Sequence, residues 1–409
     1  MAARGRYRGA WLAGALLVQT GAGGAQTAPP FAAELGRALF EKLWVAAPSS
    51  TRGSDGLGPL YNARACSNCH ETGGGAALPA QQGASVFGLV ARFVGADGVA
   101  LAHPDYGFQL QDRAVAGAVT GAVDGAVPDG FGPEGALSLR YSFEDGLRAV
   151  EPVISGANIG AHFISMRIAP PLIGMAQIAD IPEAEIAARA DPEDADGNGI
   201  SGRIARAYSP DLGRVALSRF GWRAEAVTLR DQTAQAFAID MGLSSPLSPD
   251  PQGDCIGCDG IPSGEDAGLR DGREVSNEVL DLIVAYLSSL QPETGSTGAE
   301  IFDQTGCGGC HTNGYSTGAR PYSDFLLHDM GPDLADRNAA DAAGSAEWRT
   351  APLWGAGLPE RKGYLHDGRA RTILEAVLWH GGEAASVRDR VVQMPAPDRA
   401  TLIEFLESL

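Results

Sequence analysis

Two pentapeptides carry the most specific chemistry in this 409-residue chain: Cys66-Ser67-Asn68-Cys69-His70 and Cys307-Gly308-Gly309-Cys310-His311. A Cys-x-x-Cys-His run is the pattern of c-type haem attachment. The two thiols add across the porphyrin vinyl groups, and the adjoining histidine is carried under the iron as its proximal ligand. One such run alone could be a zinc half-site or a redox dithiol. Two in a chain with an export-type N-terminus describe a protein with two covalently bound c-type haems.

What haem iron does then depends on its second axial position: a filled site transfers electrons, and an open one binds a small ligand. His103, His162 and His328 read first as surface or supporting residues. His380 and Met394 are the stronger candidates for the second haem. His380 follows Leu378 and Trp379 on a helix expected to begin near Thr372, and Met394 stands in Gln-Met-Pro-Ala-Pro ahead of the closing helix. The residues alone leave these two open. A further motif, Asp194-Ala-Asp196-Gly-Asn198-Gly-Ile200, has the alternating oxygen ligands and sharp glycine turn of an EF-hand-type calcium loop. The Ile200 carbonyl would be a further ligand. Its twelfth position is Ala205 rather than glutamate, so a plain Asp/Gly/Asn-rich turn is the alternative.

The elements that position these groups form a loose internal repeat. Gly36-Arg-Ala-Leu39-Phe40 precedes the first haem motif and Gly298-Ala-Glu-Ile301-Phe302 the second, each as the end of an amphipathic helix. Each half closes with a helix, at 278–290 and 399–409. Leu280, Ile283, Val284 and Leu287 fall on one face of the first, and Leu402, Phe405, Leu406 and Leu409 on one face of the second. Between motif and closing helix, Phe220-Gly-Trp222 is followed by Thr228, and Tyr364-Leu-His366 by Thr372, each threonine six residues after the Trp or His. Both read as a tight turn entering a capped helix. The expected fold is therefore mainly α, with two cytochrome c-like domains at 26–291 and 292–409. The first is enlarged by a loop-rich insertion at about 75–215 with short extended runs such as Val86–Val94. Gln291–Thr297 is the expected linker.

Bulk properties frame the setting. The chain is 44% hydrophobic with a formal charge of −19, which argues against nucleic acid and favours a cationic protein partner or plain solubility. Arg4, Arg6 and Arg8, the apolar stretch Ala10–Val18 and Gly23-Gly24-Ala25 have the anatomy of a Sec-type signal peptide over 1–25. That stretch is too short to span a bilayer, and no later one is apolar enough. A periplasmic location is expected. Cys255 and Cys258, left over from haem attachment, are expected to form a local disulfide, with a redox-active dithiol as the alternative.

The order of motifs resembles the bacterial di-haem cytochrome c peroxidase and MauG-type superfamily. More narrowly it is similar to the di-haem oxidoreductases often labelled thiol oxidoreductases or peroxidases. The narrower likeness rests on Asp194–Arg203, Ser218-Arg-Phe-Gly-Trp222, Leu327-His-Asp-Met-Gly-Pro332, Glu347-Trp-Arg-Thr-Ala-Pro-Leu-Trp-Gly355 and Leu365-His-Asp-Gly-Arg-Ala-Arg371. In the peroxidases, the residue fourteen positions after the histidine of the His-Asp-Gly turn ligates the electron-transfer haem. Here that count from His366 reaches His380, so the resemblance favours His311/His380 ligation over Met394. It also implies Trp222 between the haems, Gln232 as the distal amide and Asp240 as the distal acid, although Asp240 is two residues early and shorter than the family's glutamate. The implied activity is reduction of hydrogen peroxide at the N-terminal haem. Electrons would come through the C-terminal haem from a small cytochrome c or cupredoxin. MauG-like oxidation of a protein substrate and pure electron transfer are the rival readings.

Overall fold

The computed structural model describes residues 30–84, 87–115, 133–250, 253–258, 261–268, 270–292, 299–338, 344–358, 361 and 363–409. The expected leader at 1–25 and most of the expected linker lie outside the described residues. The helices among them are α1 (Pro30–Glu41), α2 (Met175–Ala179), α3 (Glu183–Ala187), α4 (Leu229–Met241), α5 (Asn277–Ser289), α6 (Ala299–Thr305), α7 (Ile373–Leu378), α8 (Ala385–Gln393) and α9 (Ala396–Glu407).

Each half is built on a pair of packed helices, one before the haem motif and one closing the half. α1 lies on α5, with the rings of Phe40 and Tyr286 5.0 Å apart. Gly36 makes that approach possible: a Cβ there would stand 1.9 Å from the Leu282 carbonyl oxygen. Phe40, Trp44, Phe237, Leu280, Ile283 and Leu287 form the core beneath the first motif. α6 lies on α9 in the same way, around Phe302, Leu402, Phe405 and Leu406. The apolar faces legible in the sequence are the buried ones, with Val284 at the margin.

The expectation of a mainly α fold is overturned. Helices make up 29% of the chain and strands 19%, the latter in several small sheets. The long insertion is the main reason. Leu89–Val94 pairs antiparallel with Phe163–Ile168, and Ala136–Glu144 with Leu147–Ser155. Asp145 and Gly146 close that second hairpin, both at positive φ (49° and 85°) as a tight two-residue turn needs. Phe163–Ile168 also takes Arg337–Asn338 from the second half as its other neighbour. The insertion thus makes strands that cross-link the halves, and Leu89, Phe93, Ile164 and Ile168 pack with Trp222, Trp348 and Trp379 in one core.

The half-to-half repeat is preserved in the backbone. Phe220 bridges Ala226 and Tyr364 bridges Ala370, so each turn closes across six residues. Thr228 then caps α4 by accepting from the Asp231 amide, and Thr372 caps α7 by accepting from the Glu375 amide. Trp222 and His366 stand at equivalent places in these two turns.

Candidate haem sites

Both Cys-x-x-Cys-His runs fold into one tight turn. Cys66–Asn68 and Cys307–Gly309 are single 3-10 turns, and the amides of His70 and His311 each donate to the carbonyl of the first cysteine at 2.9 Å. None of these four cysteines is in a disulfide. Burial pushes Cys66 and Cys69 up to about 12 and Cys307 up to about 11. Both cysteines and the histidine of each run line a cavity, of about 220 Å³ at the first motif and about 180 Å³ at the second.

The histidines are oriented for a metal. His70 Nδ1 lies 2.9 Å from the Pro170 carbonyl oxygen and His311 Nδ1 2.9 Å from that of Tyr322. A carbonyl can only accept, so the proton is fixed on Nδ1 and the Nε2 lone pair is left for iron. Burial draws both imidazoles down to about 4, and they are neutral. His380 follows the same rule, its Nδ1 2.6 Å from the Ala376 carbonyl oxygen and its pKa lowered by burial.

The His311 and His380 rings have centroids 6.4 Å apart across the second cavity. Two metal–nitrogen bonds of about 2.0 Å, plus about 1.2 Å from each nitrogen to its ring centre, span about the same distance. Met394 does not line this cavity. It packs at the edge of the Phe302/Leu406 core, its carbonyl 3.3 Å from Arg399 Nη1.

The first cavity has another composition. α4 presents Gln232, Thr233, Ala236, Phe237 and Asp240 to it, and Trp222 and Glu225 enter from the preceding turn. Asp240 Oδ1 accepts from Gln109 Nε2 at 2.8 Å, and burial raises the Asp240 pKa. Its carbonyl receives the amides of Asn62 and Ala63, which ties the end of α4 to the segment entering Cys66. Trp222, Gln232 and Asp240 are thus brought together with His70, and Trp222 lines both cavities with its indole N–H donating to the Ile168 carbonyl at 2.7 Å.

Several residues here were missed from the sequence. Glu225 accepts from Arg167 at 2.7 Å with Arg92 at 4.0 Å. Burial alone would raise its pKa, but these two guanidiniums hold it at about 2. Gly221, at φ 85°, must lack a side chain, because a Cβ there would meet Glu225 Oε2 at 2.2 Å and lie 3.5 Å from Gln232 Oε1. Glu225 is the sole acid of the Phe220–Ala226 turn, which was its one available signal. Arg92 and Arg167 come from two paired strands, and nothing local announced them.

Residues 160–409 match the family described as "Di-haem oxidoreductase, putative peroxidase". The chain belongs to this di-haem oxidoreductase family. No match emerges among curated proteins. Among solved structures it is similar to a Kuenenia stuttgartiensis hydrazine synthase. The identity is 19% over 34% of this chain and 57% of that one, with a TM-score of 0.24. The cofactors of the di-haem oxidoreductase are thus haems, and each of the two cavities is lined by paired cysteines, an imidazole and apolar walls that fit one.

The remaining predicted positions lie apart from these cavities or beside them. Asp194 and Asp196 gather with Asp191, their carboxylate oxygens within 4.8 Å of one another. The loop's own amides donate to them: Gly199 N to Asp194, Asn198 N to Asp196, and Ala195 N to Asp191. Ile200, whose carbonyl is the further expected ligand, also lines the second cavity. His328 proves to be a clamp, with Nδ1 2.7 Å from Glu383 and Nε2 2.9 Å from Asp324. Burial opposes its charge, but Asp324, the Cys310 sulfur at 3.7 Å and Glu383 outweigh it and hold the imidazole up to about 12. His103 packs against His162 (4.6 Å) and Tyr106 (4.5 Å), away from either cavity. Cys255 and Cys258 are joined in a disulfide. Among the described residues no helix is long and apolar enough to cross a membrane.

Proposed function

We propose that this protein reduces hydrogen peroxide at the haem attached through Cys66 and Cys69 and held by His70. Electrons arrive through the haem attached at Cys307 and Cys310 and ligated by His311 and His380. The observation that carries this reading is the identity of one residue. His380 stands fourteen positions after His366, and the equivalent count from Trp222 reaches Ala236. Ala236 lines the first cavity from α4. A methyl group cannot ligate iron, so α4 would offer a haem held by His70 no ligand at the position where His380 would serve a haem held by His311.

Haem, when bound, would supply redox-active iron for one-electron transfer and peroxide reduction. The chain's own residues do the rest. Asp240 takes a proton from the incoming peroxide and returns it to the leaving oxygen, a task suited to a buried carboxylate whose pKa burial raises. The Gln109 amide fixes the orientation of that carboxylate. Gln232 orients the ligand by hydrogen bonding, and the Glu225–Arg167–Arg92 cluster keeps a fixed charge arrangement beside it. Trp222, lining both cavities, bridges them as the electron relay. The donor is a small basic electron carrier drawn by the acidic surface, and the setting is the periplasm.

The test is Ala236→His. An imidazole at this position should convert the first haem to a six-coordinate low-spin species and abolish peroxide reduction, while leaving two haems per chain. Retained peroxide turnover with an unchanged spectrum would show that the open face is elsewhere.

A further inference from the structure

Arg361 is a cation for which the described protein provides no anion. Its side chain lines the cavity beside His70 and the cavity beside His311 alike. Nε is shut off from solvent and has no hydrogen-bond partner, and among the described residues no ion pair reaches the guanidinium. Its neighbour is the ring of Tyr364, whose centre lies 4.7 Å from the guanidinium carbon. Burial draws Arg361 down to about 10, so it stays charged at neutral pH.

The neighbouring guanidiniums are engaged. Arg167 donates to Glu225, Arg223 to Asp336, and Arg349 to the carbonyls of Gly221 and Thr350. A guanidinium with its Nε shut off from water and no counter-ion is unfavourable, and its planar fork matches a carboxylate. Each haem brings two such carboxylates, its propionates.

We propose that Arg361 is the propionate-recognition residue of both haems, one guanidinium taking a carboxylate from each and tying the two cofactors electrostatically. The inference rests on the assignment of the two cavities to the two haems. A cation shared in this way favours the reduced, less positive state of both irons.

The test is spectroelectrochemical titration of the haem-loaded protein and of Arg361→Gln, with haem content and ferric spin state read on the same samples. Both midpoint potentials should fall in the variant. At a fixed potential the oxidised-to-reduced ratio of each haem should rise about tenfold, equal to about 59 mV for a one-electron couple. A fall at one haem alone, or at neither, with both haems bound, overturns the proposal. If Arg361→Gln fails to load haem, Arg361→Lys decides through resonance Raman, because it keeps the charge and loses the fork. The propionate bending bands of both haems should shift, and unmoved bands in either haem overturn it. Spin states separately report the axial ligands, so a wrong ligand assignment and a wrong role for Arg361 give different results.

Discussion

At the scale of single residues, the two haem motifs differ in what faces their proximal histidines. The 6.4 Å spacing of the His311 and His380 rings fits a shared metal, whereas Met394 is packed away from the cavity. His380→Ala should therefore turn the C-terminal haem high-spin, and Met394→Ala should leave its spectrum unaltered. A spectrum that responds only to Met394→Ala contradicts the assignment. In the proposed reaction Asp240 carries the proton chemistry, and it must be ionised to accept a proton. Because burial raises its pKa, peroxide turnover should fall as pH falls through a value above the ordinary aspartate pKa of about 3.9. Asp240→Asn should slow turnover by roughly 10²–10⁴-fold and remove that inflection, as measured by stopped-flow across pH. Ala236 was passed over in the sequence, although the count that reaches His380 from His366 reaches it from Trp222. The Gln109 amide on Asp240 was not legible, because the two lie 131 residues apart and meet only after the sheet has formed.

At the scale of elements, the helix–turn–helix repeat was readable because capping threonines and apolar faces are local signals. Thr228 and Thr372 cap the helices that their spacing predicts, and the closing helices bury the predicted faces. The strands were under-read. Asp145-Gly146 between alternating runs is a strong hairpin signal, and it lay in plain view inside a stretch read as loops. The third strand of the central sheet, Arg337–Asn338, could not be anticipated, since two residues have no periodicity. The tight crossing of α1 and α5 gives a stability prediction. Gly36→Ala puts a methyl group against the Leu282 carbonyl and should cost about 1–3 kcal/mol. Denaturant unfolding of the haem-loaded protein, followed by far-UV circular dichroism, measures it, and an unchanged midpoint contradicts the packing described.

At the scale of the whole molecule, the halves are joined rather than merely tethered. A strand from the second half completes the insertion's sheet, and Trp222, Arg349, Ala351 and Arg361 line both cavities. Two such cavities sharing a wall suit electron passage between cofactors better than independent chemistry. The net charge of −19 was legible at once, and it predicts how a donor is met. Association with a basic electron carrier should slow steeply as ionic strength rises, because steering between opposite charges is screened within about 8 Å at 0.15 M salt. An association rate independent of salt would mean that the acidity serves solubility alone. The asymmetry of the two haems remains the central claim. It is tested most directly by a peroxide titration of the purified protein followed by optical and EPR spectra, with and without one-electron reduction. The account predicts one low-spin bis-histidine haem and one haem that is open, or opens on reduction, and reacts with peroxide. Two haems that stay low-spin and inert to peroxide in both states would contradict it.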